Sequence, residues 1–391
     1  MRILILSTDY PEFVAELYAK NRGLETRPYD EQMAARFASL FGVADFYSYN
    51  LAASGHEAAT LIVNNAFAQR AWAREAGMPV PDDPPAAPDS MLRRSARAVL
   101  RRAPRPVTRF AGRMSARLLP LRAKFDTAIV AEQIRRFRPD VLINQAVDGI
   151  PSQFIREMRP YVRLMAGQLA APIPNVRLDV YDVMLSSLPN FVARFRSQGL
   201  RSELHPFAFD ERVLNRLPED EPSIPVSFVG TFSAAHARRS ALLEYLARSL
   251  DLQLWGHAVE KIPASSTLHE RYRGPAYGID MYRVLHASRA AVNFHIAVSG
   301  PFANNMRLFE ATGVGTLLVT DWKQNLHELF EPETEVVTFR SPEECREKLV
   351  FYLAHEAERQ RVAAAGQRRT LRDHTYRVRM PQLVEMLRRY L

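Results

Sequence analysis

Arg307 and Glu310 stand three residues apart in the run Asn304-Asn305-Met306-Arg307-Leu308-Phe309-Glu310-Ala311-Thr312-Gly313-Val314-Gly315. On a helix that spacing puts both on one face. A fixed cation beside a carboxylate suits a nucleotide, with guanidinium for the diphosphate and carboxylate for the ribose hydroxyls. The same spacing also fits a surface ion pair ahead of an ordinary helix stop, and these two residues alone do not choose. Gly313 and Gly315 allow a sharp turn and a close approach of backbone to a ligand. Thr316 to Thr320 carries no charge and reads as a buried strand.

Other polar residues gather where strands are expected to end. In the C-terminal half these are Gly230, His236 and Arg239, then Trp255-Gly256-His257, Asn293-Phe294-His295, and Asn304 with Asn305. His236 is expected at a helix start after a glycine loop, where free amides and the helix dipole attract phosphate. Any one of these histidines fits a satisfied structural role; the set at successive strand ends points to a binding cleft. In the N-terminal half Asp9 and Asp148 follow strands and, with His56, are the candidates for a general base. A helix cap would employ either aspartate equally well.

Several chemistries lack their residues. The sequence has no phosphate loop ending in Gly-Lys-Ser/Thr, no Gly-x-Gly-x-x-Gly and no Gly-x-Ser-x-Gly elbow. His-Glu-x-x-His and cysteine pairs are also missing, so no metal site and no cofactor is expected. The single Cys345 rules out a disulfide within the chain and suits a reducing cytoplasm.

The elements that would position these residues alternate as strand and helix. Arg2 to Ser7, Ala59 to Val63, Asp140 to Asn144, Val162 to Ala166 and Val183 to Ser187 read as strands of an open parallel sheet. The aromatic run Phe46 to Asn50 reads as packing, though a tyrosine hydroxyl there could line a pocket. Helices are expected from Glu12 to Lys20 and from an Asp30 cap through Phe41. A Pro-rich, acidic stretch from Pro206 to Pro225 marks a boundary, and a second set follows. Its strands are Ile224 to Val229, Leu252 to Trp255, Ala290 to His295, Thr316 to Thr320 and Glu335 to Phe339, with closing helices from Pro342 to Gly366 and from Tyr376 to Leu391. The expected organisation is two Rossmann-like, doubly wound α/β domains facing a cleft. The first covers 1–210 with a basic helical insertion at about 79–124. The second covers 211–391, with a last helix that can return to the first.

The charge is unevenly placed. Of 391 residues 47% are hydrophobic and 24% charged, with a net charge of +9. Between Asp89 and Asp126 lie ten arginines and Lys124 without one acidic residue; without those cations, 41 basic residues face 43 acidic ones. Val107, Phe110, Ala111, Met114 and Leu118 keep helical spacing beside a stripe of Arg109, Arg113 and Arg117. Such a helix within the segment Arg93–Lys124 suits an anionic membrane surface, or packs on the domain with a solvated arginine face. Sparse aromatics and the lack of a recognition module argue against nucleic acid. No apolar run reaches the length of a membrane span, so a soluble, cytoplasmic protein is expected.

The runs Val226-Ser227-Phe228-Val229-Gly230 through His236 and Arg239, Leu254-Trp255-Gly256, and Asn305 to Gly315 resemble the C-terminal domain of bacterial CgeB-like glycosyltransferases, GT-B enzymes related to glycosyltransferase family 4. Glu328-Leu329-Phe330-Glu331-Pro332 and Ala365-Gly366-Gln367-Arg368-Arg369 continue the likeness. It implies a nucleotide-sugar donor held by the C-terminal domain and a glycan or lipid-linked acceptor on the other side. Glu310 matches the carboxylate such enzymes use for the ribose. The family 4 pattern carries a second glutamate eight residues earlier, where this chain has Phe302. Its contact to the sugar would fall to Asn304, Asn305 or Arg307, and the stereochemical course does not carry over. Arg239, Arg307 and the His236 helix end are assigned to the departing diphosphate, a role they can fill without metal. The expected activity is sugar transfer in bacterial polysaccharide biosynthesis. Its rivals are a silent nucleotide-binding scaffold docked on membranes and an epimerase or hydrolase on the same fold.

Overall fold

The computed structural model describes residues 1–80, 125–232 and 237–391. The basic stretch Arg93–Lys124 and His236 lie outside the described residues. The described chain forms two compact units, Met1–Ser7, Ala34–Leu61 and Ile134–Leu391 in one, Thr8–Met33 and Ile62–Gln133 in the other. Among the described residues no helix is long and apolar enough to cross a membrane.

Two sheets organise the larger unit. The first holds β1 (Arg2–Ser7), β2 (Glu57–Ile62), β3 (Val141–Asn144), β4 (Leu164–Gln168), β5 (Val183–Ser186) and β6 (Ser202–Leu204), in the order β2-β1-β3-β4-β5-β6. Its ladders from β1 across to β6 are parallel. The second holds β7 (Ile224–Val229), β8 (Leu252–Trp255), β9 (Ser288–Asn293), β10 (Leu317–Asp321) and β11 (Val337–Phe339), in the order β11-β10-β9-β7-β8, again parallel. Apolar runs such as Ile3-Leu4-Ile5-Leu6 and Leu317-Leu318-Val319 form these strands because parallel strands are covered on both faces.

Alternation along each strand of the second sheet feeds two cores. Val229, Ala291 and Leu318 join Leu308 and Phe309 in a core shared with Ile3, Ile5 and Ile143 of the first sheet. Phe228, Val292 and Val319 point the other way, toward Leu243, Leu246 and Leu349. The last helix, Tyr376–Arg388, belongs to the shared core and packs on the helix Phe46–Ala53, with the Tyr376 ring 5.3 Å from that of Phe46 and 5.4 Å from that of Tyr47. The chain between β6 and β7 is tied to the start of that helix, since Phe209 N donates to His374 O and Tyr376 N donates to Phe209 O, each at 2.9 Å.

In the smaller unit, Tyr18 of the helix Pro11–Lys20 has its hydroxyl 2.6 Å from Gln32 Oε1 and 3.0 Å from Asn65 Oδ1, all buried. The helix expected to begin with Asp30 as cap begins at Tyr29 instead. Gln32 N already bonds Pro28 O, and Tyr29 N is taken by the Glu75 carboxylate at 2.7 Å, so Asp30 sits inside the first turn.

The aromatic run at Phe46 packs as expected, in a helix whose residues are mostly buried. Two further differences have physical reasons. The single helix expected from Pro342 breaks at His355 (φ −117°, ψ 76°) into Pro342–Ala354 and Glu356–Asp373. The helix Pro189–Ser197 and β6 carry little sequence signal. The helix opens on a proline, and β6 is a three-residue edge strand reading Ser-Glu-Leu.

Candidate active site

The helix Met306–Gly313 is pinned to the carboxyl ends of the second sheet. Asn305 caps it, its side-chain oxygen accepting from Leu308 N at 3.2 Å. The Asn305 amide donates to Asn293 Oδ1 at 2.9 Å, and Asn293 Nδ2 donates to Thr320 Oγ1 at 3.0 Å. Asn293 and Thr320 are register partners on β9 and β10, so the helix start cannot drift from the strand ends.

Within the first turn Arg307 Nη1 lies 2.7 Å from Glu310 Oε2, with Glu310 buried and Arg307 half-buried. Arg307 Nη2 donates to Val229 O, the last carbonyl of β7, at 3.2 Å. Its Nε is buried with no hydrogen-bond partner among the described residues. Burial pushes the Glu310 carboxyl above the ordinary range, against the pull of Arg307. The pair is therefore not a solvated surface bridge. It is a desolvated ion pair at a strand end, where an uncompensated donor is costly unless a ligand meets it.

Two loops close beside it. Gly230 N donates to Trp255 O at 3.0 Å, and Gly256 follows with φ +139°. A Cβ on Gly256 would fall on the Gly230 carbonyl, so the two loops touch backbone to backbone. Thr231 Oγ1 lies 2.7 Å from His257 Nε2, and the His257 ring stacks at 6.0 Å on Tyr277. Arg239 reaches back to donate to Thr231 O and lies over the Phe228 ring. Burial, and then the charge of Arg307, lower its guanidinium to about 10. Two guanidiniums thus feel each other in a dry place, and an anion would relieve both.

The remaining second-half candidates split between support and access. His295 Nδ1 lies 2.6 Å from Asp321 Oδ1, the same oxygen accepts His295 N at 3.0 Å, and His295 Nε2 is buried without a partner among the described residues. Burial raises the Asp321 carboxyl, but the hydrogen bond and charge of His295 outweigh it and hold that carboxyl low. Asn304 Oδ1 accepts from Phe207 N at 3.4 Å. Gly313 has the Phe209 ring against its Cα, where a Cβ would come within 2.5 Å, and Gly315 turns into β10 at φ +83°.

In the first half, Asp148 is exposed in the turn after β3. Asp9 is buried, its amide accepted by Asn64 Oδ1 at 2.9 Å and its carbonyl receiving Asn64 Nδ2 at 2.8 Å. His56 sits where β1 and β2 begin, its Nδ1 3.3 Å from the Met1 amino group, away from the strand ends that carry the other candidates. Sequence reasoning missed a partly buried chain of polar side chains at the carboxyl edge. Gln145 Nε2 donates to Gln168 Oε1 at 3.1 Å, Gln168 Nε2 to the Tyr47 oxygen at 2.9 Å, and the Tyr47 hydroxyl lies 3.0 Å from His205 Nε2. With Gln168 donating into the phenol oxygen, the single phenolic proton is left for His205. Burial, then Arg379, lower the imidazole to about 3, so it stays neutral. His205 was not legible, because it follows the unforeseen β6.

Residues 238–385 match the glycosyl transferase-like family. No curated protein matches the chain. Among solved structures it resembles Anabaena HepE in complex with UDP-glucose (13% identity, 98% of each chain, TM-score 0.59). It also resembles sucrose-phosphate synthase of Thermosynechococcus elongatus (12% identity, 99% of this chain and 98% of that one, TM-score 0.55). AviGT4, a glycosyltransferase involved in avilamycin A biosynthesis, aligns at 14% identity over 100% of this chain and 98% of its own, with a TM-score of 0.51. The chain thus has the GT-B architecture of two Rossmann-like parallel-sheet halves, and its second half carries the likeness to the glycosyl transferase-like family.

Proposed function

We propose that the protein is a glycosyltransferase that moves a sugar from a nucleotide-activated donor to a glycan or lipid-linked acceptor, in the manner of the CgeB-like enzymes. One observation carries the reading. At the carboxyl edge of the second sheet, half-buried Arg307 has a buried Nε with no partner among the described residues and feels the charge of buried Arg239, while the carboxylate paired with it is Glu310. That set suits a nucleoside diphosphate: Glu310 takes the ribose hydroxyls and the two guanidiniums take the diphosphate. HepE, which shares the fold, was solved with UDP-glucose, so a uridine diphosphate sugar is the first donor to try.

In this reading the leaving diphosphate gains negative charge as the glycosidic bond breaks, and fixed guanidiniums in a dry site stabilise it with no reorganisation. Gly230 and Gly256 let the two loops pack backbone to backbone beside the guanidiniums. Asn304 and Asn305 stand in for the glutamate absent at Phe302 and orient the sugar. On the acceptor side, exposed Asp148 is the candidate base that deprotonates the incoming hydroxyl, and Gln145 and Gln168, held by Tyr47, line the approach. The protein is assigned to the cytoplasm, working on its own or at the inner face of the membrane.

The test is to incubate the pure protein with a panel of nucleotides and nucleotide sugars. Protection against thermal unfolding and slow donor hydrolysis are expected for one base and one sugar. Silence toward the whole panel would remove the proposal.

A further inference from the structure

The second sheet has a second opening on the face turned away from Arg307. Phe294, just past β9, and Phe339, ending β11, stack there with ring centroids 6.4 Å apart and planes at 27°. They floor a cavity of about 630 Å³ walled by Tyr245 of the helix Ala237–Ala247. That volume holds a ligand of ordinary metabolite size. Arg238, Arg248 and Arg340 line it. None of their guanidiniums forms a salt bridge or hydrogen bond with a described residue, and that of Arg340 rests 3.8 Å from the Trp322 ring centroid.

Two carboxylates also border the space. Glu244 is engaged, accepting Ser266 Oγ at 2.5 Å. Glu343 lies in the first turn of the helix Pro342–Ala354, where the helix dipole favours it. Neither forms an ion pair with any of the three arginines that line the cavity.

We propose that this cavity binds a phosphate ester of an apolar alcohol, with the phosphate on the arginines and the apolar group on Phe294, Phe339 and Tyr245. Several guanidinium forks match the three oxygens and double charge of a phosphate monoester, whereas a lone carboxylate would satisfy one of them. An aromatic floor has no use for free phosphate, so the tail supplies the discrimination. The site uses none of the residues assigned to the sugar donor and stands without that assignment.

The experiment titrates dodecyl phosphate, below its micelle concentration, into the full chain by calorimetry and by Trp322 emission. Saturable binding is expected, weakened at least about tenfold in Arg340→Ala and in Arg248→Ala, each as stable as wild type because these side chains are exposed. Trp322→Phe should lose the fluorescence change and keep the heat. Inorganic phosphate and dodecyl maltoside, each lacking half of the chemistry, should bind at least about tenfold more weakly. Vesicles containing phosphatidic acid separate the sources. Arginine-dependent vesicle binding assigns the ester to a lipid headgroup, and dodecyl phosphate binding without it assigns a soluble ester. Equal affinity for inorganic phosphate, indifference to the arginine substitutions, or no binding in any arm overturns the proposal.

Discussion

A Cβ on Gly256 would stand 1.8 Å from the carbonyl oxygen of Gly230, with Gly256 itself at φ +139°. The loops leaving β7 and β8 are in backbone contact, and no side chain fits between them. Gly256→Ala is expected to lower stability by about 3 kcal/mol, from the forbidden dihedral together with the overlap. It should also displace the Thr231–His257 contact, which lies in the same loops. Urea denaturation measures the first effect; a variant with an unchanged midpoint would show that the loops do not meet.

Glu310 and Arg307 call for a double-mutant cycle rather than alanine alone. Glu310→Ala leaves a half-buried guanidinium without its counter-ion, at up to about 3 kcal/mol, so lost activity would be confounded with lost fold. Arg307→Met combined with Glu310→Gln removes both charges and should retain most of the wild-type stability while losing nucleotide binding. The single Glu310→Gln should weaken nucleotide affinity by about 1.5–3 kcal/mol, the worth of a hydrogen bond to a charged group. Calorimetry with the best nucleotide of the panel reads it, and wild-type affinity in Glu310→Gln would detach Glu310 from the ribose.

Tyr47→Phe removes one oxygen that serves both Gln168 and His205. Stability should fall by about 1–3 kcal/mol, because buried His205 keeps a ring nitrogen without its partner. If Gln168 meets the acceptor, the acceptor KM rises while the donor KM holds. An equal rise in both would assign Tyr47 to packing.

Two buried imidazoles predict an acid-sensitive fold. Burial, followed by Arg379, lowers His205 to about 3, and burial outweighs the Leu329 carbonyl to lower His374 to about 4. Between the unfolded value near 6.5 and those folded values, the unfolded chain binds protons that the native one refuses. Stability therefore falls as pH drops through that window, by up to about 1.4 kcal/mol per pH unit for each histidine. His205→Gln should flatten the slope between pH 6.5 and 4.5 in denaturant titrations. An unaltered slope would show that His205 takes up its proton in the native state.

How much was legible in advance followed from physical scale. Long uncharged runs such as Leu317-Leu318-Val319 announced the parallel strands, because burial on both faces leaves no room for polar residues. Arg307, Glu310 and Gly315 were legible as a helical pair and a turn because they lie within one short stretch, whereas the capping role of Asn305 was not read there. The Gly230–Gly256 contact and the chain from Gln145 to His205 were not legible. They join residues far apart in sequence, and nothing local to His205 or Tyr47 records the partner. The buried state of the Arg307–Glu310 pair was equally hidden, since an exposed pair has the same spacing and the choice lies with Val229 and Tyr282, brought in by the fold.

The return of the last helix to Phe46 and Tyr47 has a bearing on how this molecule can be dissected. A fragment stopping before β7 would bare that aromatic surface to water, and its complement would carry an amphipathic helix with nothing to lie on. Neither half is self-sufficient, yet each holds what the other lacks. Co-expressed as separate pieces they should find one another, and the intact chain should melt in one transition instead of lobe by lobe.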